Sequence, residues 1–168
     1  MAKKSNNKQI FFLVALLLGA VAIAMFFLPF VKYHFGSDSN YHETLYSGFN
    51  CMFGADNIKT SVVTSIGSVS GEAASTKLVP VVLISGILLV VAIVAALLTK
   101  IVDKKKVFIV KVIAAGLFIA AAVLAVALVK TSFLSANDIG SGDYYGVGIG
   151  AILTCVFSAL AGAGILLS

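Results

Sequence analysis

Side chains able to do chemistry are concentrated in one short stretch. His34, Asp38 and His42 recur every four residues, with Glu43 adjacent. On a helix that spacing stacks the side chains on one face, where imidazoles and carboxylates converge on a divalent ion. Gly36, Ser37, Ser39 and Asn40 disfavour a helix there, so the ordinary reading is solvated polar residues and no metal site. Cys51 and Cys155 have no paired spacing, and no disulfide framework or zinc motif can be built from them. Cys51 is read as a free thiol able at most to cross-link a partner, and Cys155 as a small apolar packing residue. Two histidines in one loop, with no serine or cysteine beside a base, form no catalytic constellation. Neither an enzyme nor a bound cofactor is expected.

The elements that carry these residues are dictated by composition. The 168 residues are 60% hydrophobic and 11% charged, with a mean hydropathy of +1.09. A soluble domain carries about 25% charged residues, so the apolar surface needs lipid as its solvent. The net charge of +5 comes from twelve lysines without one arginine. Nucleic-acid recognition leans on arginine forks, so no nucleic-acid partner is expected. Lysine without arginine is also what an AT-rich genome produces, which points to a low-GC bacterium.

Four apolar runs stand out: Ile10–Val31, Leu78–Leu98, Val107–Val129 and Gly146–Leu167. Each is 21 to 23 residues long, roughly 32–35 Å of helix, which matches a hydrocarbon core of about 30 Å. Backbone polar groups in lipid must be satisfied within the segment, which requires helix. The expectation is an all-α integral membrane protein, a single domain built as a four-helix transmembrane bundle. Lysine placement orients it. The N-terminal tail and the inner link (99–106), with Lys111 just beyond it, hold eight lysines against four on the other side. Both termini are therefore expected in the cytoplasm, in the cell membrane. Ala20-Val-Ala22 and Ala22-Ile-Ala24 also fit a signal-peptide cleavage site, but the apolar run continues past them and reads as an uncleaved span.

The first outer loop (32–77) is long and patterned, and the second (130–145) is short. Tyr41, Leu45, Tyr46, Phe49, Met52 and Phe53 precede a turn-like Gly54–Asn57, and the β-branched Ile58–Ile66 follows. Two β-prone stretches around a turn predict a hairpin over the helix ends. Residues 67–76 are small and polar and read as a flexible return.

Three further patterns bear on function. Gly146, Gly150, Thr154, Ser158 and Gly162 form a small-residue stripe along the last run. It lets another helix approach closely, either the alanine-rich third helix of the same chain or a second copy. Lys100, Lys104, Lys105 and Lys106 form a basic patch that sets topology and can also attract anionic lipid. Tyr41, Tyr46, Phe49 and Phe53 are the candidate partner surface. No ionisable residue lies deep in any span, since Lys111 can snorkel to the interface, which argues against an ion-coupled transporter.

Four spans, a large first outer loop, a short inner link and a short second loop resemble the claudin and peripheral-myelin-protein superfamily. Gly48-Phe49-Asn50-Cys51 is similar to its Gly-Leu-Trp…Cys signature, although this chain has no tryptophan and no second loop cysteine. The resemblance implies a small β-sheet folded from the first loop, and no functional residue is carried over. The expected function is a non-enzymatic scaffold or interaction protein acting through its first outer loop, with the bilayer, a second copy or another membrane protein as partner. The alternative is a channel or transporter subunit whose path forms by self-association.

Overall fold

The computed structural model describes residues 2–37, 39–64, 67–71, 73–103, 105–140 and 142–168. Four of its helices are long and apolar enough to cross a membrane, spanning Asn7–Phe27, Pro80–Leu98, Val107–Ala127 and Ile149–Leu167. The chain thus has the build of a multi-pass helical membrane protein. It is not all-α: a five-stranded antiparallel sheet sits at one end of the helices.

The first helix, α1 (Ala2–Ala24), ends well before the apolar run does. Met25–Phe27 make one 3-10 turn, and Leu28 is extended at φ −85°, ψ 162°. Leu28 precedes Pro29, whose ring excludes helical backbone at the residue before it. Residues Pro29–Val31, read from sequence as the end of the span, instead open strand β1 (Pro29–Ser37). Strand β2 (Asn40–Ser47) then folds back on β1, with Val31 opposite Tyr46, Tyr33 opposite Thr44 and Phe35 opposite His42.

Residues Gly48–Phe53, expected as strand, form a short helix, α2. Ser47 caps it, its hydroxyl accepting from the Asn50 amide at 3.1 Å, and Gly54 ends it at φ +77°, where a Cβ would be strained. After β3 (Ala55–Ile58), strand β4 (Thr60–Thr64) pairs with β2, Tyr41 facing Val63 and Thr44 facing Thr60. Pairing between the two β-prone stretches therefore occurs, but across α2 and β3 rather than as a tight hairpin. Residues 67–76 are not a plain return. They contain β5 (Gly67–Ser70), paired with β4, and β6 (Ala74–Thr76), paired with β3.

Helix α3 (Pro80–Leu98) starts with proline at its first position, where a missing amide costs nothing. Helix α4 (Val107–Ala127) gives way at Leu128 to α5 (Val129–Ala136), so the third apolar run is divided too. Strand β7 (Tyr145–Val147) adds to the free side of β1, completing the order β5-β4-β2-β1-β7. Only then does α6 (Ile149–Leu167) begin. Gly148 joins them: its amide donates to Phe30 at 2.8 Å, and a Cβ there would lie 2.2 Å from the Pro29 carbonyl oxygen.

The long helices pack side by side, α6 against α4 and α1, and α3 against α4 and, over less of its length, α1. Small residues mark the contacts: Ala15, Ala22, Ala92, Ala121, Ala125, Ala151 and Ala161 are fully buried. Leu17, Val90, Ile113, Val123 and Leu160 point outward and stay exposed. That arrangement suits lipid, because close backbone approach gains dispersion contacts while large aliphatic side chains lose nothing in hydrocarbon. Ser85 donates across the α3–α4 contact to the Ala121 carbonyl at 3.1 Å.

Candidate functional site

The sheet is tied to the helix ends at several points. Gly48 donates to the Leu28 carbonyl at 3.2 Å and Val79 to the Cys51 carbonyl at 2.7 Å. The loop before α3 is clipped to the end of α5. There the Asn137 side chain accepts from the Lys77 amide at 2.8 Å, and Lys77 pairs with Asp138 at 2.5 Å. That ion pair and hydrogen bond hold the Asp138 carboxyl below its usual range.

Alternation along the strands sends the sequence-predicted residues to different places. On one face, Lys32 meets Glu43 at 2.7 Å and the His34 and Tyr41 rings lie 4.7 Å apart. On the other face, the register aligns Tyr145, Tyr33, Thr44 and Thr60 in one cross-strand row, with Phe35, His42 and Val62 in another. His34 and His42 therefore occupy opposite faces, and Asp38 lies outside the described residues. Among the described residues no group of three or more His, Cys, Asp or Glu side chains is placed to hold a metal.

The four candidate partner residues do not form one surface. Tyr41 is on the Lys32–Glu43 face. Tyr46 points the other way and is only 6% exposed, its ring 4.8 Å from Phe133 of α5. As a surface residue Tyr46 is a correction: it follows Leu45 in strict alternation, and it is Leu45 that is exposed. Phe49 and Phe53 lie on α2, stacked with centroids 6.3 Å apart, and Phe49 also meets Phe27 at 4.6 Å. Phe27 and Phe53 are 75% and 66% exposed, so the junction of α1 and α2 carries a projecting aromatic shelf.

Two concavities flank this arrangement. Below α2, between α1 and α3, a cleft of about 400 Å³ is lined only by apolar side chains, among them Phe26, Met52, Leu83 and Val90. Beneath the sheet, a cup of about 660 Å³ lies between the Tyr33–Thr44–Thr60 face and the segment carrying Gly71, Ala73 and Ala74. Tyr46 and Tyr145 also line the cup. Thr44 and Thr60 share a hydrogen bond at 3.0 Å across it. Burial pushes the Tyr46 hydroxyl up to about 12, helped by Tyr145, Cys51 and Tyr33, and raises Tyr145 in the same direction. Cys51 is fully buried in α2, and desolvation lifts its thiol to about 12 as well. Exposed cross-linking chemistry at Cys51 is thereby corrected: the thiol is inside and protonated.

The small-residue stripe is divided between elements. Gly146 belongs to β7, and a Cβ there would meet nothing within 4 Å. The other four members are buried in α6. Gly150 abuts the Leu28 and Met25 carbonyls, the Thr154 hydroxyl donates to Ala22 at 3.4 Å, and Gly162 approaches Ala115. The stripe thus serves α1 as well as α4. Ser158 donates within its own helix to Thr154 at 2.6 Å.

At the far end of the helices Lys100 lies over the Phe12 ring at 4.1 Å, while Lys105 and Lys106 are exposed and Lys104 is outside the described residues. Lys8, Lys111 and Ser168 gather at that same end, so α1 begins and α6 finishes opposite the sheet. Neither a protein-family model nor a curated protein matches this chain.

Proposed function

We propose that this chain is a non-enzymatic membrane scaffold or interaction protein. It is a four-helix bundle in the cell membrane of a low-GC bacterium, with both termini cytoplasmic and its sheet outside. The observation that carries the reading is the aromatic shelf of Phe27 and Phe53, projecting from a cap hydrogen-bonded to three helix ends. A surface already ordered before binding loses little further conformational entropy on association, and exposed aromatics are what the centres of interfaces favour. The shelf sits where α1 leaves its span, so it suits a neighbouring membrane protein approaching sideways. The sequence count of eight lysines on the N-terminal tail, the inner link and Lys111, against four elsewhere, supports the orientation. A β-sheet folded from the first loop supports the claudin-like reading of the layout. The self-associating channel loses its suggested seam, because Gly150, Thr154, Ser158 and Gly162 are already used within one chain.

A photo-crosslinking residue at position 53 should capture a specific neighbouring membrane protein in cells. Phe27→Ser should abolish that capture while leaving the thermal unfolding midpoint unchanged. Capture that survives Phe27→Ser would remove the shelf as the working surface.

A further inference from the structure

At the end of the bundle away from the sheet, a small pocket gathers three lysines from three different elements. Lys8 comes from α1, Lys111 from the second turn of α4, and Lys100 from just beyond the end of α3. The pocket lies where the four spans end, at Asn7, Leu98, Val107 and Leu167, which is the depth where lipid head groups begin. Lys111 is partly buried there, and Lys8 and Lys100 are close enough to act on its charge. Lys100 is held in place, its ammonium 4.1 Å over the ring of Phe12, which is itself buried. The side chain of Gln9 also lines the pocket and offers a neutral donor.

No acid balances these charges. Among the described residues no Asp or Glu lines the pocket, and the ion pairs found, Lys32–Glu43 and Lys77–Asp138, are elsewhere. The neighbouring chain has little to add, because residues 1–9 and 99–111 hold eight lysines and a single acid, Asp103. Asp103 is exposed and does not line the pocket. The other six acids fall in residues 32–77 and 130–145, the segments that build the sheet end. A terminal carboxylate on Ser168 would offset only one of the three charges. Ammonium groups gathered at the edge of a low-dielectric layer repel one another, so the site favours an anion. A carboxylate is matched best by the planar fork of an arginine, whereas lysines act as point charges and suit a phosphate approached from several sides. A phosphate monoester also carries about −1.5 to −2 at pH 7, enough to answer most of the cluster. The volume, about 220 Å³, is below the roughly 300–1,000 Å³ of drug-sized sites and suits a small group. We infer that Lys8, Lys100 and Lys111 form a binding pocket for a phosphate monoester, presented by a lipid head group or as free phosphate. This role is separate from the partner reading and does not rest on it.

The full chain in phosphatidylcholine nanodiscs is titrated with inorganic phosphate by calorimetry, in low salt to limit screening. In a second arm, without phosphate in the buffer, the nanodiscs carry increasing dioleoylphosphatidic acid. Immobilisation of a spin-labelled phosphatidic acid is then read by electron paramagnetic resonance. Saturation at one ligand per chain is expected in at least one arm. Saturation with inorganic phosphate identifies a free anion, and saturation with phosphatidic acid alone identifies a head group. Lys111→Gln and Lys100→Gln should each weaken binding about fivefold. Either leaves seven of the eight lysines, so the orientation is kept, and Lys100→Gln carries the test should Lys111→Gln fold poorly. Lys105→Gln removes the same charge outside the pocket and should weaken binding at most about twofold, through the screened field alone. Binding that fails to saturate in both arms overturns the proposal. So does a Lys105→Gln loss equal to that of Lys111→Gln and Lys100→Gln, which would leave the lysines as a diffuse basic patch. Loss of partner capture at the aromatic shelf would not alter these titrations, so the two readings fail separately.

Discussion

At the scale of single residues, the two most perturbed groups outside the spans are Cys51 and Tyr46, and both hold their protons because burial disfavours the charged form. Their folded values, each about 12, lie above the ordinary 9.0 and 10.0. Unfolding therefore releases protons at alkaline pH. The stability they contribute is intact below pH 9 and is lost as pH rises towards 12. Each group adds a slope of about 1.4 kcal/mol per pH unit in its window. Unfolding by a denaturing detergent, followed from pH 8 to 10.5, should show a steepening loss that is shallower in Cys51→Ala. An unchanged slope in that variant would mean that the folded thiol is already hydrated. Neither environment is legible from the residues alone. Cys51 follows Ser47 and Gly48, a capped helix start, and only the docking of α2 among α3, the Met25–Phe27 turn and strands β1 and β2 removes its thiol from water.

Among the elements, the contact between α6 and the end of α1 is close backbone to backbone. A methyl group at Gly150 would sit 2.8 Å from the Leu28 carbonyl oxygen, whereas one at Gly116 would meet nothing within 4 Å. Gly150→Ala should destabilise the protein by about 1–3 kcal/mol through overpacking. Gly116→Ala should be neutral or gain up to about 1 kcal/mol from helix propensity. Ser85→Ala, which removes the α3–α4 hydrogen bond, should cost only about 0.6 kcal/mol, because polar partners within membranes are replaceable. Unfolding titrations of the three variants in one detergent would rank them. A Gly150→Ala protein as stable as Gly116→Ala would show that α1 can yield at Leu28. The four-residue spacing of Gly150, Thr154, Ser158 and Gly162 was readable beforehand, as was their role in close helix approach. That the stripe meets α1 at one end and α4 at the other depended on how the helices are arranged around it.

For the whole molecule, burial of the α6 stripe within one chain and the outward aromatic shelf together predict a monomer in mild detergent. Light scattering of the purified protein should return one chain of 17.4 kDa per particle, with and without reductant. A stable, defined oligomer would restore the self-associating channel and would call for a seam other than α6. Reductant should have no effect, since Cys51 is buried and Cys155 lies in a membrane-spanning helix.

Apolar run length decided the number of long helices, because a chain in lipid has few ways to satisfy its backbone and helix is the shortest of them. Run length did not decide where each helix stops. Ile10–Val31 and Gly146–Leu167 are each a predominantly apolar run, yet Val31 at the end of the first pairs with Val147 near the start of the last as strands of one sheet. Hydrophobicity is shared by a span and by a buried strand, and only Pro29 and Gly148 mark the change. Ser47 and Gly54 bracketed α2 in the same local way, through a cap and a left-handed stop, and were readable in principle. The sheet order and the cup were not, because β1 and β7 are separated by more than a hundred residues. Their register follows from non-local hydrogen bonds whose energies no local window contains. Composition placed the chain in a membrane, and tertiary pairing at the helix ends put three tyrosines around one cavity.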